Sequence, residues 1–130
     1  MHQSSLILNV DDNDGARHAK TRLLMNAGFR VSEAADGESA LSMAAREHPA
    51  LVLLDVKLPD IKGTDVCRRL KADPVTADIL IIHTSAAYIR DEDRLTALDS
   101  GADGYLAAPF TPDDLIAIVR GLLAPAHSAY

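Results

Sequence analysis

Leu51-Val52-Leu53-Leu54-Asp55-Val56 sets four consecutive apolar residues ahead of one carboxylate, with another apolar residue behind it. A strand with one wet face alternates apolar and polar side chains, whereas a strand covered on both faces is apolar throughout. The run therefore reads as an inner strand of a parallel sheet. A carboxylate in such a run is rarely there for packing, so Asp55 marks the place where the strand meets a site.

Similar runs recur on either side. Ser5-Leu6-Ile7-Leu8-Asn9-Val10 comes first and is followed by Asp11-Asp12-Asn13-Asp14. An amphipathic stretch with Ala16, Ala19, Leu23 and Leu24 then closes at Gly28. Phe29 to Ala34 reads as a second strand, and Gly37 to Glu47 as a helix with Ala40, Leu41, Ala44 and Ala45 on one face. After the central run, a shorter helix around Cys67 and Leu70 stops at Asp73-Pro74. Ile79 to Thr84 is a fourth strand, Glu92 to Ser100 a helix ended by Gly101, and Gly104 to Ala107 a fifth strand. The last helix has a capping signature: Thr111, then Pro112, with Asp114 three residues after the cap. Each strand and helix together take roughly the 30 residues of a βαβ element. The units share no motif, so the period is structural. A five-stranded, doubly wound α/β domain follows.

Composition agrees with one such domain. The chain has 130 residues, 48% of them hydrophobic and 25% charged, the balance of an ordinary globular domain. Its net charge of −6 argues against a surface for nucleic-acid phosphates, which calls for a basic patch. One cysteine excludes an intramolecular disulfide and a cysteine zinc cage. No apolar run approaches the roughly 18 residues of a membrane span, and the expected setting is the cytoplasm. Of the 19 acidic residues, 15 are Asp, a residue that favours caps and turns over helix interiors. Carboxylates are therefore expected at the ends of elements.

In open parallel sheets the functional crevice lies beyond the carboxyl ends of the strands. Along that edge the sequence sets Asp11-Asp12 after the first strand, Asp55 at the end of the third, Thr84-Ser85 after the fourth, and Ala107-Ala108-Pro109 after the fifth. If the first and third strands are neighbours, three carboxylates share one crevice. Three such charges cannot all stay ionised and unpaired, so either one pKa rises or a divalent cation is bound. Carboxylate oxygens and water positions suit Mg²⁺. A carboxylate nucleophile, a metal and a hydroxyl together make a phosphoryl-acceptor site. Taken singly, Asp11-Asp12 also reads as a loop and cap pair, and Thr84 and Ser85 as strand-end hydroxyls.

Four motifs in combination carry a family resemblance: Val10-Asp11-Asp12-Asn13, Leu53 through Asp60, Thr84-Ser85-Ala86, and Gly101 through Leu106 leading into Pro109-Phe110. From about residue 5 to 123 the chain resembles the receiver domain of bacterial two-component response regulators. The resemblance implies a flavodoxin-like parallel sheet of order 2-1-3-4-5 with helices on both faces. It further implies that Asp55 accepts a phosphoryl group from a phosphohistidine on a sensor histidine kinase or phosphotransfer protein. Asp11 and Asp12 would hold Mg²⁺ together with Asp55 and the backbone carbonyl of Lys57. Ser85, preceding Ala86, would be the hydroxyl that bonds the phosphoryl group, and Tyr105 the aromatic that turns in response. The family pattern puts a lysine before the proline that follows the fifth strand. Here that residue is Ala108, and alanine cannot supply the missing point charge. The side chain of Lys57, near the crevice mouth, is a candidate substitute.

The expected unit is a single receiver domain over residues 1–130, with residues 124–130 a loose tail or the start of a linker. No output domain is readable in it, so it is either a free-standing regulator or a piece of a longer chain. Loss of the lysine and the Leu58-Pro59-Asp60-Ile61 sequence resemble receivers of hybrid histidine kinases. The face made by the helix from Glu92, the fifth strand and the helix from Pro112 is the family's usual dimer surface. The chain is read as a signalling module rather than an enzyme with a separate substrate. The alternative is a phosphorylation-independent docking or dimerisation module of the same fold. A small Mg²⁺-dependent phosphohydrolase using Asp55 is disfavoured, because such enzymes carry a general acid where Lys57 stands and need a cap domain. His2, His18, His48 and His127 have no partner at ligand spacing, His83 reads as a hydrogen-bonded, partly buried strand residue, and Cys67 as a small core hydrophobe.

Overall fold

A computed structural model describes residues 5–85, 95–97 and 99–124. The strands are β1 (Leu6–Val10), β2 (Arg30–Ala34), β3 (Leu51–Asp55), β4 (Leu80–Ser85) and β5 (Gly104–Ala107). Between them lie α1 (Asp14–Asn26), α2 (Gly37–Glu47) and α3 (Gly63–Ala72), and the C-terminal helix is Pro112–Leu123. Residues 95–97 and 99 are also helical. The expected start of that helix at Glu92, and Ala86 of the Thr-Ser-Ala motif, fall outside the described residues.

All strand pairs are parallel, in the order β2-β1-β3-β4-β5. The doubly wound sheet and its order are thus as expected. Side chains alternate between the two faces of each strand, and β3 shows the result. Leu51 and Leu53 pack with Ile7, Ile82, Leu24 of α1, and Leu115 and Val119 of the C-terminal helix. Val52 and Leu54 pack on the other face with Ala40 and Ala44 of α2 and Val66, Cys67 and Leu70 of α3. Burial on both faces is why these strands lack polar alternation.

Several limits differ by a residue or two from the sequence reading. Ile79 is outside β4 because its N–H turns back to the Thr76 carbonyl. Ser85 is inside β4, since it pairs with Ala107 and its carbonyl accepts the Ala108 N–H. Val56 falls outside β3: its N–H still reaches the Thr84 carbonyl, but the next N–H, of Lys57, folds back onto the Asp55 carboxylate. The C-terminal helix carries the reciprocal Thr111–Asp114 capping box its sequence announces.

His83 is fully buried, more so than its sequence position alone suggested. Its Nδ1 lies 3.1 Å from the Leu54 carbonyl and its Nε2 3.1 Å from Ser100 Oγ. Burial pushes its pKa below the ordinary imidazole value. Cys67 is a buried free thiol in the α2–α3 layer.

A candidate acidic cation-binding crevice

Strand alternation delivers the acidic groups to one side of the sheet. Ile7 and Leu53 face α1, so Asp11 and Asp55, in phase with them, emerge on the α1 side. Adjacent pairing of β1 and β3 brings the strand ends together. One carboxylate oxygen from each of Asp11, Asp12 and Asp55 falls within 4.8 Å of the others. Asp11 is buried, Asp55 half-buried and Asp12 exposed, so the cluster is open to water on one side.

Asp11 is held at both oxygens. Oδ1 accepts the Asn13 N–H at 2.9 Å, while Oδ2 lies 2.8 Å from the ammonium of Lys20 on α1. Asn13 in turn caps α1 by accepting the Ala16 N–H, and Arg17 donates to the Asp11 carbonyl. Asp55 is placed differently. Its Oδ1 accepts the Lys57 N–H at 3.1 Å, and burial, with the charges of Asp11 and Asp12, raises its pKa above the ordinary carboxylate value. The Lys57 N–H and the Lys20 charge act against that rise without cancelling it. Three converging carboxylate oxygens, one of them made reluctant to ionise by burial and by the charge of the others, form a donor set that a small hard divalent cation satisfies. The residues present fit Mg²⁺.

A cavity of about 560 Å³ opens over this cluster. Thr84 and Ser85 line it beside the carboxylates, Ala16, Ala19, Lys20 and Leu23 form its α1 wall, and Ala108 and Phe110 also line it. Ser85 Oγ accepts the phenolic hydrogen of Tyr105 at 2.9 Å. Ala108 meets the crevice without a polar side chain. Lys57 is exposed and touches Asp55 through its backbone N–H.

Two further residues shape the loop after Asp55. Gly63 opens α3 with its N–H on the Val56 carbonyl, and a Cβ there would stand 2.1 Å from the Asp55 carbonyl oxygen. Only glycine permits that approach. Asp60 accepts the N–H groups of Gly37 and Glu38 at 2.8 and 2.9 Å, which pins the loop to the start of α2. Those two N–H groups hold its carboxyl below the ordinary carboxylate value.

The structure therefore brings Asp11, Asp12, Asp55, Lys57, Ser85 and Ala108 to one crevice, with Tyr105 in contact through Ser85. Sequence reasoning missed Lys20, Gly63 and Asp60. A signal for Lys20 was available: it is a lysine among Ala16, Ala19, Leu23 and Leu24, the apolar stripe of α1. Gly63 and Asp60 act through tertiary approaches that no local pattern reports.

The family model for the response regulator receiver domain matches residues 7–120. Response regulator MprA of Mycobacterium leprae is 41% identical over 117 residues, which are 90% of this chain and 50% of that protein. The chain thus spans about half the length of the curated relatives it matches. Among solved structures, a putative response regulator from Chloroflexus aurantiacus superposes with a TM-score of 0.89 at 33% identity, covering 94% of this chain and 99% of that one. The receiver domain of sensor histidine kinase PA1611 from Pseudomonas aeruginosa, with magnesium coordinated in its active-site cleft, gives 0.84 at 30% identity, covering 92% and 97%.

Proposed function

We propose that this chain, which belongs to the response regulator receiver domain family of two-component signalling, is a phosphoacceptor that takes a phosphoryl group onto Asp55. The donor is a phosphohistidine on a sensor histidine kinase or phosphotransfer protein. In the step, an Asp55 carboxylate oxygen forms the new O–P bond as the N–P bond to the donor imidazole breaks. The bonding pair remains on the imidazole nitrogen, which takes a proton from water. The convergence of Asp11, Asp12 and Asp55 within 4.8 Å carries this reading. Those three carboxylates and the Lys57 carbonyl would hold Mg²⁺, which would supply neutralisation of the charge that develops on the phosphoryl oxygens.

The chain's own residues do the rest. Asp55 is aimed by its bond from the Lys57 N–H and by the tight Gly63 approach. Ser85 accepts from Tyr105 and so keeps its own hydroxyl proton free to donate to a phosphoryl oxygen. Once Ser85 turns to that oxygen, Tyr105 follows it, and the face of β5 and the C-terminal helix changes. The acyl phosphate adds close to two negative charges, and its effect is a shift between two states that hold it differently.

On this reading residues 1–130 are one receiver domain with its core at about 5–123, a cytoplasmic signalling module that turns over no separate substrate. The helical residues 95–97, β5 and the C-terminal helix form its dimer or partner face. A place in a hybrid histidine kinase is a second setting for the same domain. No helix among the described residues is long and apolar enough to cross a membrane.

Incubation with acetyl phosphate tests the central step. Acid-stable, alkali-labile label is expected with Mg²⁺, none with chelator, and none on Asp55→Asn. Label persisting on that variant removes Asp55 as acceptor. The uncharged side chain of Ala108 at the crevice favours the alternative, a docking module that works without phosphorylation. Unlabelled wild-type protein that still binds its kinase supports that alternative.

A further inference from the structure

We infer that Lys20 is the built-in cation of the crevice and that its ammonium contacts the transferred phosphoryl group. The inference rests on the phosphoacceptor reading of Asp55 and adds a phosphoryl-binding residue to it.

Burial is the first argument. Lys20 sits in the apolar stripe of α1, and among the described residues no other lysine or arginine is buried. Its side chain is 9% exposed and that of its partner Asp11 is 7% exposed. A buried ammonium carries a large desolvation cost unless it is paired, and the pairing here is made inside the crevice. The other nearby cations are held differently: Arg17 is engaged by Asp14, Glu33 and the Asp11 carbonyl, and Lys57, although it lines the crevice, is exposed.

Charge balance is the second argument. Asp11, Asp12 and Asp55 bring three negative charges, of which a divalent cation offsets two. Lys20 offsets the third. When the Asp55 carboxylate becomes an acyl phosphate the crevice gains further negative charge, and Lys20 is the protein group positioned to meet it. Ala108, which also lines the crevice, contributes none.

Reach is the third. The ammonium lies 2.8 Å from Asp11 Oδ2, and Asp11 belongs to the same 4.8 Å cluster as Asp55. Its positive charge already opposes the rise in the Asp55 pKa. A cation that takes up Asp11 releases the ammonium, and a flexible four-carbon stem lets it swing to oxygens carried by Asp55. Lys20 thus competes with the metal in the resting crevice and assists the phosphoryl group in the loaded one. A purely structural partner of Asp11 would show only the first behaviour.

Calorimetry with Mg²⁺ alone, and then with beryllium fluoride as the phosphoryl analogue at saturating Mg²⁺, separates these roles. Lys20→Met is expected to bind Mg²⁺ several-fold more tightly than wild type. It should bind beryllium fluoride about tenfold more weakly or worse, the loss of one charge-assisted contact. Lys20→Met/Ala108→Lys should recover most of that loss by supplying an ammonium from another part of the crevice lining. Ala108→Lys with Lys20 intact keeps the question open to test should the methionine variant not fold. It should gain less than about threefold, whereas a tenfold gain reveals a crevice without its own cation and overturns the inference. Unchanged beryllium fluoride affinity in Lys20→Met overturns it while leaving the phosphoacceptor reading intact. Wild-type protein that binds Mg²⁺ but no beryllium fluoride overturns that reading and this inference together.

Discussion

Tyr105 donates its phenolic hydrogen to Ser85 across the β4–β5 pair, with 2.9 Å between the oxygens. Tyr105 pairs in register with His83, and Ser85 with Ala107, so the bond runs diagonally between strands. It joins the crevice hydroxyl to the outer strand of the sheet. Replacing Tyr105 by Phe removes one hydrogen bond, about 1 kcal/mol, while the ring still fills its place. Beryllium fluoride affinity in Tyr105→Phe should stay within about threefold of wild type. Ligand-induced amide shifts along β5 and the C-terminal helix should shrink. Shifts of wild-type size would show that Ser85 and Tyr105 move independently.

Neutralising Asp55 should strengthen the metal-free fold. Burial and the Asp11 and Asp12 charges raise its pKa in the folded chain, so the folded state keeps this proton to higher pH than the unfolded state does. The stabilisation this gives is complete below the unfolded carboxylate value of about 4 and is lost as pH rises through the folded pKa. At neutral pH the ionised group is therefore a burden. Thermal melts in chelator should place Asp55→Asn a few degrees above wild type at pH 7, with the gap closing towards pH 4 and on adding Mg²⁺. Equal melting temperatures at pH 7 would contradict the electrostatic account of the crevice.

Gly63 allows no side chain. A methyl group 2.1 Å from the Asp55 carbonyl oxygen must push α3 away from the end of β3, the kind of overpacking that costs about 1–3 kcal/mol. Urea unfolding of Gly63→Ala should show that loss. The rate of phosphoryl uptake from acetyl phosphate should fall further than stability alone explains, because the displaced atoms carry Asp55. A stable variant with wild-type uptake would mean that the loop relaxes without disturbing the acceptor.

The sheet was legible because burial on both faces leaves a plain mark: four apolar residues in a row before Asp55. The acidic cluster was legible because each carboxylate follows an apolar run, and parallel pairing brings such ends together. Lys20 was read past because α1 was judged by its apolar residues, and a lysine among them looks like a boundary of the stripe until Asp11 is seen to face it. The limits of β3 and β4 shifted because Lys57 and Ile79 spend their N–H groups on local turns, a choice made by geometry at the strand ends. Gly63 and Asp60 answer to backbone atoms brought near by folding: one meets the β3 carbonyl, the other the N–H groups of Gly37 and Glu38.

The two bonds from Asp60 have a mechanical consequence. They fasten the segment behind Asp55 to the start of α2. On the opposite flank, among the described residues, the phenol–hydroxyl contact is the side-chain bond between the crevice and Tyr105, beside the backbone pairing of β4 with β5. A change at Asp55 therefore meets a tethered loop on the α2 side, while Ser85 and Tyr105 offer it a side-chain route towards β5.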